Sequence, residues 1–315
     1  MGHFYASPEY LEVVAETYFQ GRRADVEDVG IGEDVLRLLV VDGRRVVTNV
    51  TFLDYHTPLP PAEARRPTRR FGYAPSVVRG VIGAGAWAED RYPGMEPAPY
   101  VDWSGFAGFA GYLEFLKSRS KGLLKEYERR RRRLEETLGG LEFRMDDDRE
   151  DVLELARQWK SRQLHDTGAK NYFLDPRNSD YFHRLRRRGL LTASTLRADG
   201  RLLSVWMGFV YRGVWSGWVF TYDPDPALRK YSLGHQLLRS MLEESFRLGH
   251  REFDFSVGNE EYKWFYATHA RLLGPIGRAP LSLRLAVRAK QDAKRALSRY
   301  PKLLEMAVRL KRRLR

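Results

Sequence analysis

Residues 190–267 constrain the fold more than any other stretch of the chain. A strongly apolar strand, Val214 to Tyr222, runs into the turn Lys230-Tyr231-Ser232-Leu233-Gly234-His235-Gln236 and then into an amphipathic helix from Leu237 to Leu248. The spacing predicts strands at 190–197, 202–211 and 214–222, a helix at 233–249, a strand at 252–256, a helix at 259–267 and a strand at 270–276. The first three strands read as an antiparallel meander, while the link from 214–222 to 252–256 is long enough for a right-handed parallel crossover. Such a crossover places a ligand at the carboxyl end of the strand, beside the helix N-terminus. Unpaired N–H groups there, backed by the helix dipole, bind phosphate oxygens.

The strands before the turn are rich in large aromatics: Trp206, Phe209, Tyr211, Trp215, Trp218 and Phe220. Most of these read as core, because large aromatic side chains usually serve packing. Trp218, Phe220 and Tyr222 are the candidates for lining an acceptor groove.

The wider composition narrows the chemistry. With 315 residues the chain has room for about two domains. It has 0 cysteines, which removes disulfides, thiolate nucleophiles and cysteine-ligated metals. The longest apolar run, 106–116, is short of a membrane span and carries Glu114. The N-terminus lacks a basic-then-apolar signal, and Ala6 stands where a myristoylation site wants a small hydroxyl residue, so a cytoplasmic protein is expected. Charge is unevenly placed: residues 1–116 sum to −5 and residues 117–315 to +18, together the +13 of the chain. The second half therefore suits an acidic partner, whether a phosphorylated cofactor, a nucleic acid or an anionic membrane surface, unless its arginines reflect compositional bias and solubility.

Two segments share a pattern. Residues 36–47, around Asp42-Gly43, and residues 192–205, around Asp199-Gly200, both place an Asp-Gly turn between apolar strands, the signature of a tight hairpin. Helical stretches precede each, at 8–19 in the first half and at 148–164 and 179–187 in the second. Duplication of one α/β unit accounts for the match, although Asp-Gly turns are common enough to recur by chance. Between the halves, 105–138 reads as a long helix, broken near 118–122, rich in arginine at 129–133 and stopped by Gly139-Gly140. Residues 55–70 and 89–100 are proline-rich and read as loops. After Pro280 two helical stretches pair an apolar stripe with many basic residues, facing the domain, a nucleic acid or a membrane surface.

The run from Asp223 through Tyr231-Ser232-Leu233-Gly234 to Glu252-Phe253-Asp254-Phe255, then Gly258-Asn259-Glu260-Glu261-Tyr262-Lys263, resembles the Gcn5-related N-acyltransferase (GNAT) superfamily. It is most similar to the cellulose-biosynthesis-type acetyltransferase branch, itself similar to the Fem-type aminoacyl-tRNA-dependent transferases. The arginine-rich helix at 125–137 shares in that resemblance, which covers about 115–275 by motif and the N-terminal half by architecture alone. The resemblance implies an α/β (α+β) fold of tandem GNAT-like domains with mixed, mostly antiparallel sheets flanked by helices. The domains expected are a degenerate copy at 1–115, a basic connecting helix at 116–145, an acyltransferase domain at 146–279 and a basic helical tail at 280–315.

The resemblance also implies roles. Lys230, Tyr231, Ser232, Leu233, Gly234 and His235 fall in the turn that cradles the donor's phosphates, and Lys263 matches a lysine near the donor's phosphate or reacting carbonyl. The turn departs from the common acyl-CoA signature, with Lys230 or Tyr231 near its first position and Gln236 in place of the last small residue.

Amide formation from an activated acyl donor requires that donor and amine be held together, a proton be removed from the amine, and the tetrahedral oxyanion be stabilised. Asp254, Glu260, Tyr262 and Lys263 are the candidate catalytic residues. The first three have plainer readings: Asp254 as a paired buried acceptor, Glu260 as a helix-dipole partner, Tyr262 as packing. The histidines His165, His183, His235, His250 and His269 make no ligand spacing, so no metal is expected. There is no Gly-x-Ser-x-Gly elbow and no phosphate-binding Walker loop.

Two donors fit. An acyl-CoA, with acetyl-CoA the expected donor, suits the helix-N-terminal phosphate site and is the favoured reading. An aminoacyl-tRNA suits the basic second half, with Lys125, Arg129, Arg130, Arg132 and Arg133 as RNA or anionic-surface contacts. The same arginines suit peripheral contact with the inner membrane surface. A non-catalytic nucleic-acid or partner-binding module would predict loss of Gly234 or Lys263, and both are present. The acceptor is an amine, and a monomer or dimer is expected.

Overall fold

The hairpins and the crossover read from the sequence are present, but they sit in a wider sheet than the second half alone could build. The computed structural model describes residues 3–31, 33–46, 52–60, 62–63, 69–70 and 73–277, with 281–282, 284–285, 288–289 and 292. The basic tail expected at 280–315 thus lies almost wholly outside the described residues.

In chain order the elements begin with α1 (Pro8–Tyr18), β1 (Ala24–Ile31), β2 (Asp34–Val41), β3 (Arg44–Val46) and the short β4 (Arg69–Arg70). There follow β5 (Tyr73–Gly83), β6 (Glu96–Asp102), the long helix α2 (Phe109–Leu138) and β7 (Leu141–Arg144). Two helices, α3 (Asp151–Asp166) and α4 (Pro176–Arg187), precede β8 (Thr192–Ala198), β9 (Arg201–Tyr211) and β10 (Val214–Tyr222). The chain then forms α5 (Leu233–Arg247), β11 (Glu252–Asp254), α6 (Glu261–Tyr266) and β12 (His269–Gly277).

Local chemistry explains the ends of these elements. The paired turn residues Asp42 and Gly43 have φ of 48° and 75°, and Asp199 and Gly200 have 45° and 79°. Both positive, they are the two-residue turns whose twist matches the flanking strands. Helix α1 starts at Pro8 with the Ser7 hydroxyl accepting from Tyr10 N–H, and α4 starts at Pro176 with Asp175 in the same role. The break expected in the long helix falls at Ser120, whose φ and ψ of −162° and 94° leave the helical region. Gly139, at φ 88°, stops it.

The first sheet is small, in the order β3-β2-β1-β4. The second has eight strands in the order β5-β12-β6-β11-β10-β9-β8-β7, so it draws strands from both sides of residue 115. It is antiparallel except between β10 and β11. One face carries α1, α3 and α4, with Val14, Ala156, Tyr181, Met207, Phe209 and Val219 in its core. The other carries α2, α5 and α6, packed through Tyr112, Leu237, Met241, Tyr266, Trp215 and Phe253.

The loop expected at 89–100 needs correcting. Its second part is β6, an inner strand between β12 and β11, in spite of Pro97 and Pro99. In a strand a residue's N–H and C=O point to the same side, and the carbonyls of Pro99 and Pro97 accept from Phe255 and Gly258 N–H. Their missing N–H groups therefore face the segment after β11 has ended, where no continuous ladder needs them.

That end of β11 opens the sheet. Strands β10 and β11 pair in parallel only over Val214–Ser216 and Glu252–Asp254, after which β10 continues to Tyr222 while the other chain turns away at Ser256, φ 59°. A register shift between Gly217 and Val219 bends β10 at the same level. Trp218 and Val219 consequently both pack toward α1, α3 and α4, and Phe220 faces α5. Glycine is required at the bend, since a Cβ on Gly217 would lie 2.6 Å from Trp206 Nε1 and one on Gly208 would lie 2.1 Å from the Ser216 carbonyl.

Candidate active site

The fork between β10 and the segment after β11 has a cavity on one side and a cluster of polar groups on the other. The cavity, about 390 Å³, lies between the outer half of β10, the turn before α5, and α6. Trp206, Phe220, Leu233, Leu238 and Tyr262 make it largely apolar. The turn closes it: Ser232 caps α5 in the left-handed conformation at φ 54°, and its carbonyl accepts from His235 N–H at 2.9 Å and Gln236 N–H at 3.2 Å. Leu233 and Gly234 hold the remaining first-turn N–H groups, the orphan donors of a helix start.

At the same turn the apolar cavity meets a second, basic one of about 450 Å³, lined by Arg129, Arg130, Arg133, Lys230 and Tyr231 with Glu126 and Glu136. The Arg130 guanidinium donates to the Ser232 hydroxyl and so joins α2 to the cap of α5. Glu126 pairs with Arg129 and with Arg130, the latter at 2.8 Å, which leaves the site less positive than its arginines suggest. Lys125 and Arg132, expected with these arginines, do not line it.

The turn residues divide by role. Lys230 borders the basic cavity, while Tyr231 is buried and donates its hydroxyl to Thr137 Oγ1 at 2.9 Å. His235 turns inward, stacked on Tyr127 at 4.1 Å and 2.9 Å from its hydroxyl, with Tyr266 Oη at 3.2 Å. Burial, and then the nearby Arg130, lower its pKa to about 4, so the ring is neutral near pH 7. Of the three residues expected to line an acceptor groove, Phe220 and Tyr222 line the apolar cavity beside the turn, and Trp218 faces the other side.

Among the candidate catalytic residues, Tyr262 lines the apolar cavity, its pKa raised by burial and then by Glu260. Asp254 is fully buried. Its carboxylate accepts from the Tyr55 hydroxyl at 2.6 Å and Ser256 N–H at 2.8 Å, and lies 3.4 Å from Arg271. Lys263 is also buried, donating to the Val257 carbonyl at 2.8 Å and the Ser256 carbonyl at 3.4 Å, and pairing with Glu260 at 3.0 Å. It ties down the loop that forms one wall of the fork. Gly258, at φ 144°, makes room, because a Cβ there would lie 2.2 Å from Glu260 Oε2 and 2.6 Å from Lys263 Nζ.

Two polar residues that sequence reasoning missed stand on the opposite side of the fork. Lys160 of α3 reaches the Phe220 carbonyl at 3.0 Å; burial lowers its pKa, and Glu260 opposes that shift. Asp54 accepts from the Tyr5 hydroxyl at 3.1 Å, and Tyr5 in turn accepts from Trp218 Nε1 at 2.6 Å. Burial pushes the Asp54 carboxyl up to about 6, against the Ser256 and Tyr5 hydroxyls; Asp254 adds to the rise and Lys263 reduces it. Its only local signal was an acidic residue between Leu53 and Tyr55 at the edge of a proline-rich stretch.

Comparison with known proteins agrees with this geometry. Residues 121–264 match the family model described as an acetyltransferase (GNAT) domain. No curated protein matches the sequence. Among solved structures, FemX is 10% identical, with 87% of this chain and 93% of that chain covered at a TM-score of 0.50. L-PGS from Bacillus licheniformis is 13% identical over 91% of this chain and 95% of that one, TM-score 0.47. A GNAT family acetyltransferase from Brucella melitensis in complex with acetyl-CoA is 15% identical over 45% and 90%, TM-score 0.32. The likeness to FemX is one of fold, a mixed sheet flanked by helices. The parallel fork and the turn at the start of α5 both lie within residues 121–264, the segment that matches the acetyltransferase (GNAT) domain model.

Proposed function

We propose that the protein transfers an acyl group from acyl-CoA to an amine, forming an amide. The observation that carries this reading is the meeting, at the turn 229–232, of an apolar cavity of about 390 Å³ with a basic one of about 450 Å³. Acyl-CoA has the same two-part character: a slender arm ending in a thioester, and a nucleotide end carrying phosphates. The arm fits between Phe220 and Tyr262 along the part of β10 that β11 has left. The phosphates fit the Leu233 and Gly234 N–H groups and the arginines of α2. The oxyanion of the tetrahedral intermediate would then lie against backbone donors of a strand whose neighbour has turned away. Residues 1–115 supply the opposite wall, where the acceptor would enter.

A second reading, transfer from an aminoacyl-tRNA, draws on the +18 sum over residues 117–315 and on the row Arg129, Arg130 and Arg133 beside the turn. RNA would use such a distributed basic surface more fully than CoA, and with steeper salt dependence.

One panel separates the two. Acetyl-CoA should raise the melting temperature of the purified protein and give an acetylated amine product. If CoA thioesters neither shift the melting temperature nor react, the first reading is lost; turnover of charged tRNA with salt-sensitive binding would then establish the second.

A further inference from the structure

Among the described residues, the fork has one carboxylate, Asp54, that is in no salt bridge. Asp54 retains accessible surface and accepts a hydrogen bond from the Tyr5 hydroxyl. Its neighbour Asp254 is the reverse case, fully buried and held by Tyr55, Ser256 N–H and Arg271. Two carboxylates thus share one site in different surroundings, Asp254 held by three partners and Asp54 part-exposed.

Position matters as much as environment. On one side Asp54 is joined through Tyr5 to Trp218, the residue displaced by the bulge in β10. On the other it lies within electrostatic reach of Lys263, and beside Ser256, where the chain leaves the sheet after β11. It therefore bridges the two prongs of the fork on the face of α1 and α3, opposite the apolar cavity. An amine entering from that face would meet Asp54 before it met a thioester entering from the cavity.

We propose that Asp54 is the catalytic base that takes the proton from the attacking amine. This deepens the acyl-CoA reading and rests on it. The amine nitrogen forms the C–N bond to the thioester carbonyl carbon, a proton passes from nitrogen to an Asp54 oxygen, and the C–S bond breaks with its electron pair on sulfur. Asp54 returns the proton to water and the thiolate takes one from water, leaving amide and free thiol in balance. A carboxyl held at about 6 accepts a proton more readily than an ordinary carboxylate and is still mostly ionised near pH 7. The titratable groups that face it are Tyr5 from the N-terminal turn, Asp254 from β11 and Lys263 from α6.

The test uses the full chain, acetyl-CoA, and two amine probes, n-butylamine and hydroxylamine. Butylamine is protonated near neutral pH and must lose a proton before it can attack; hydroxylamine is largely unprotonated, and its nitrogen, weakly basic, gives up its proton to water after attack. In the variant Asp54→Asn, kcat with butylamine should fall about 100-fold, while kcat with hydroxylamine and the affinity for CoA change little. The wild-type rate with butylamine should fall on acidification through pH 6, and that limb should be lost in the variant. Preserved CoA affinity shows that the variant is folded. Equal losses with both amines, or no loss with either, overturn the role of Asp54. Absence of CoA binding by the wild type overturns the acyl-CoA reading instead.

Discussion

Gly234 lies directly beneath the ring of Phe220: a Cβ at position 234 would stand 2.7 Å from Phe220 Cζ and 3.0 Å from Cε1. The contact draws the first turn of α5 against the bent part of β10, and the two residues together form one wall of the apolar cavity. Glycine here serves close packing of helix on strand.

Substitution of Gly234 by Ala should therefore displace the Phe220 ring. The expected cost is about 1–3 kcal/mol of stability, the usual range for overpacking, with a weaker grip on CoA. The double variant Gly234→Ala with Phe220→Leu should recover part of both. Urea unfolding and a CoA titration measure the two effects; a destabilisation that the second substitution does not relieve would place the clash elsewhere.

Lys263 holds the 256–260 loop through two backbone carbonyls and Glu260. Lys263→Met should leave those acceptors without their ammonium donor, at roughly 1–3 kcal/mol, and should lower turnover as the wall of the fork loosens. A variant with lost turnover and wild-type stability would instead assign the ammonium to the reacting centre.

Arg130 and Arg133 border the basic cavity proposed to take the donor's phosphates. The double variant Arg130→Gln, Arg133→Gln should weaken CoA binding about tenfold, a loss of roughly 1.4 kcal/mol, and narrow the preference for CoA over dephospho-CoA. Calorimetric titration at two salt concentrations reads both. An unchanged affinity would remove these arginines from the donor site.

His235 gives stability a definite pH dependence. Burial, followed by Arg130, depresses its folded pKa to about 4 from an ordinary 6.5, so between those values the unfolded chain binds the extra proton. Its stabilising contribution is present above pH 6.5 and is lost as pH falls through about 4. Asp54 works with the opposite sign: raised to about 6 from 3.8, it makes the folded state less stable as pH rises through that window. His235→Gln should lose less stability on acidification from pH 6.5 to 4 than the wild type, as unfolding free energies at several pH values would show. An equally steep loss in the variant would exclude His235 as a source.

Legibility followed the range of the interactions. Strands β8, β9 and β10, helix α5 and the two Asp-Gly turns have periodicity and turn chemistry that act over a few residues, and their observed bounds lie close to those read from the sequence. Strand β6 was hidden by Pro97 and Pro99, which argue against an inner strand unless the neighbouring strand is known to stop short. Glu260 and Lys263 pair across the first turn of a short helix, a contact of local range. Asp54 did not show, because its surroundings are assembled from distant parts: Trp218 and Tyr5 are 213 residues apart, and Tyr55 and Asp254 are 199 apart.

The sequence by itself determined the α/β class, the tight hairpins, the broken basic helix and the strand–turn–helix that sets orphan N–H groups beside a basic surface. Backbone propensity, apolar period and net charge are properties of the chain before it folds. Tertiary structure decided which groups face the fork. A bulge in β10 sends Trp218 and Phe220 to opposite faces, an early end to β11 opens the sheet, and strands from the first half complete it. The separation of Asp254 from Asp54 belongs to that second level, since one is fully buried beside Arg271 while burial pushes the carboxyl of the other up to about 6.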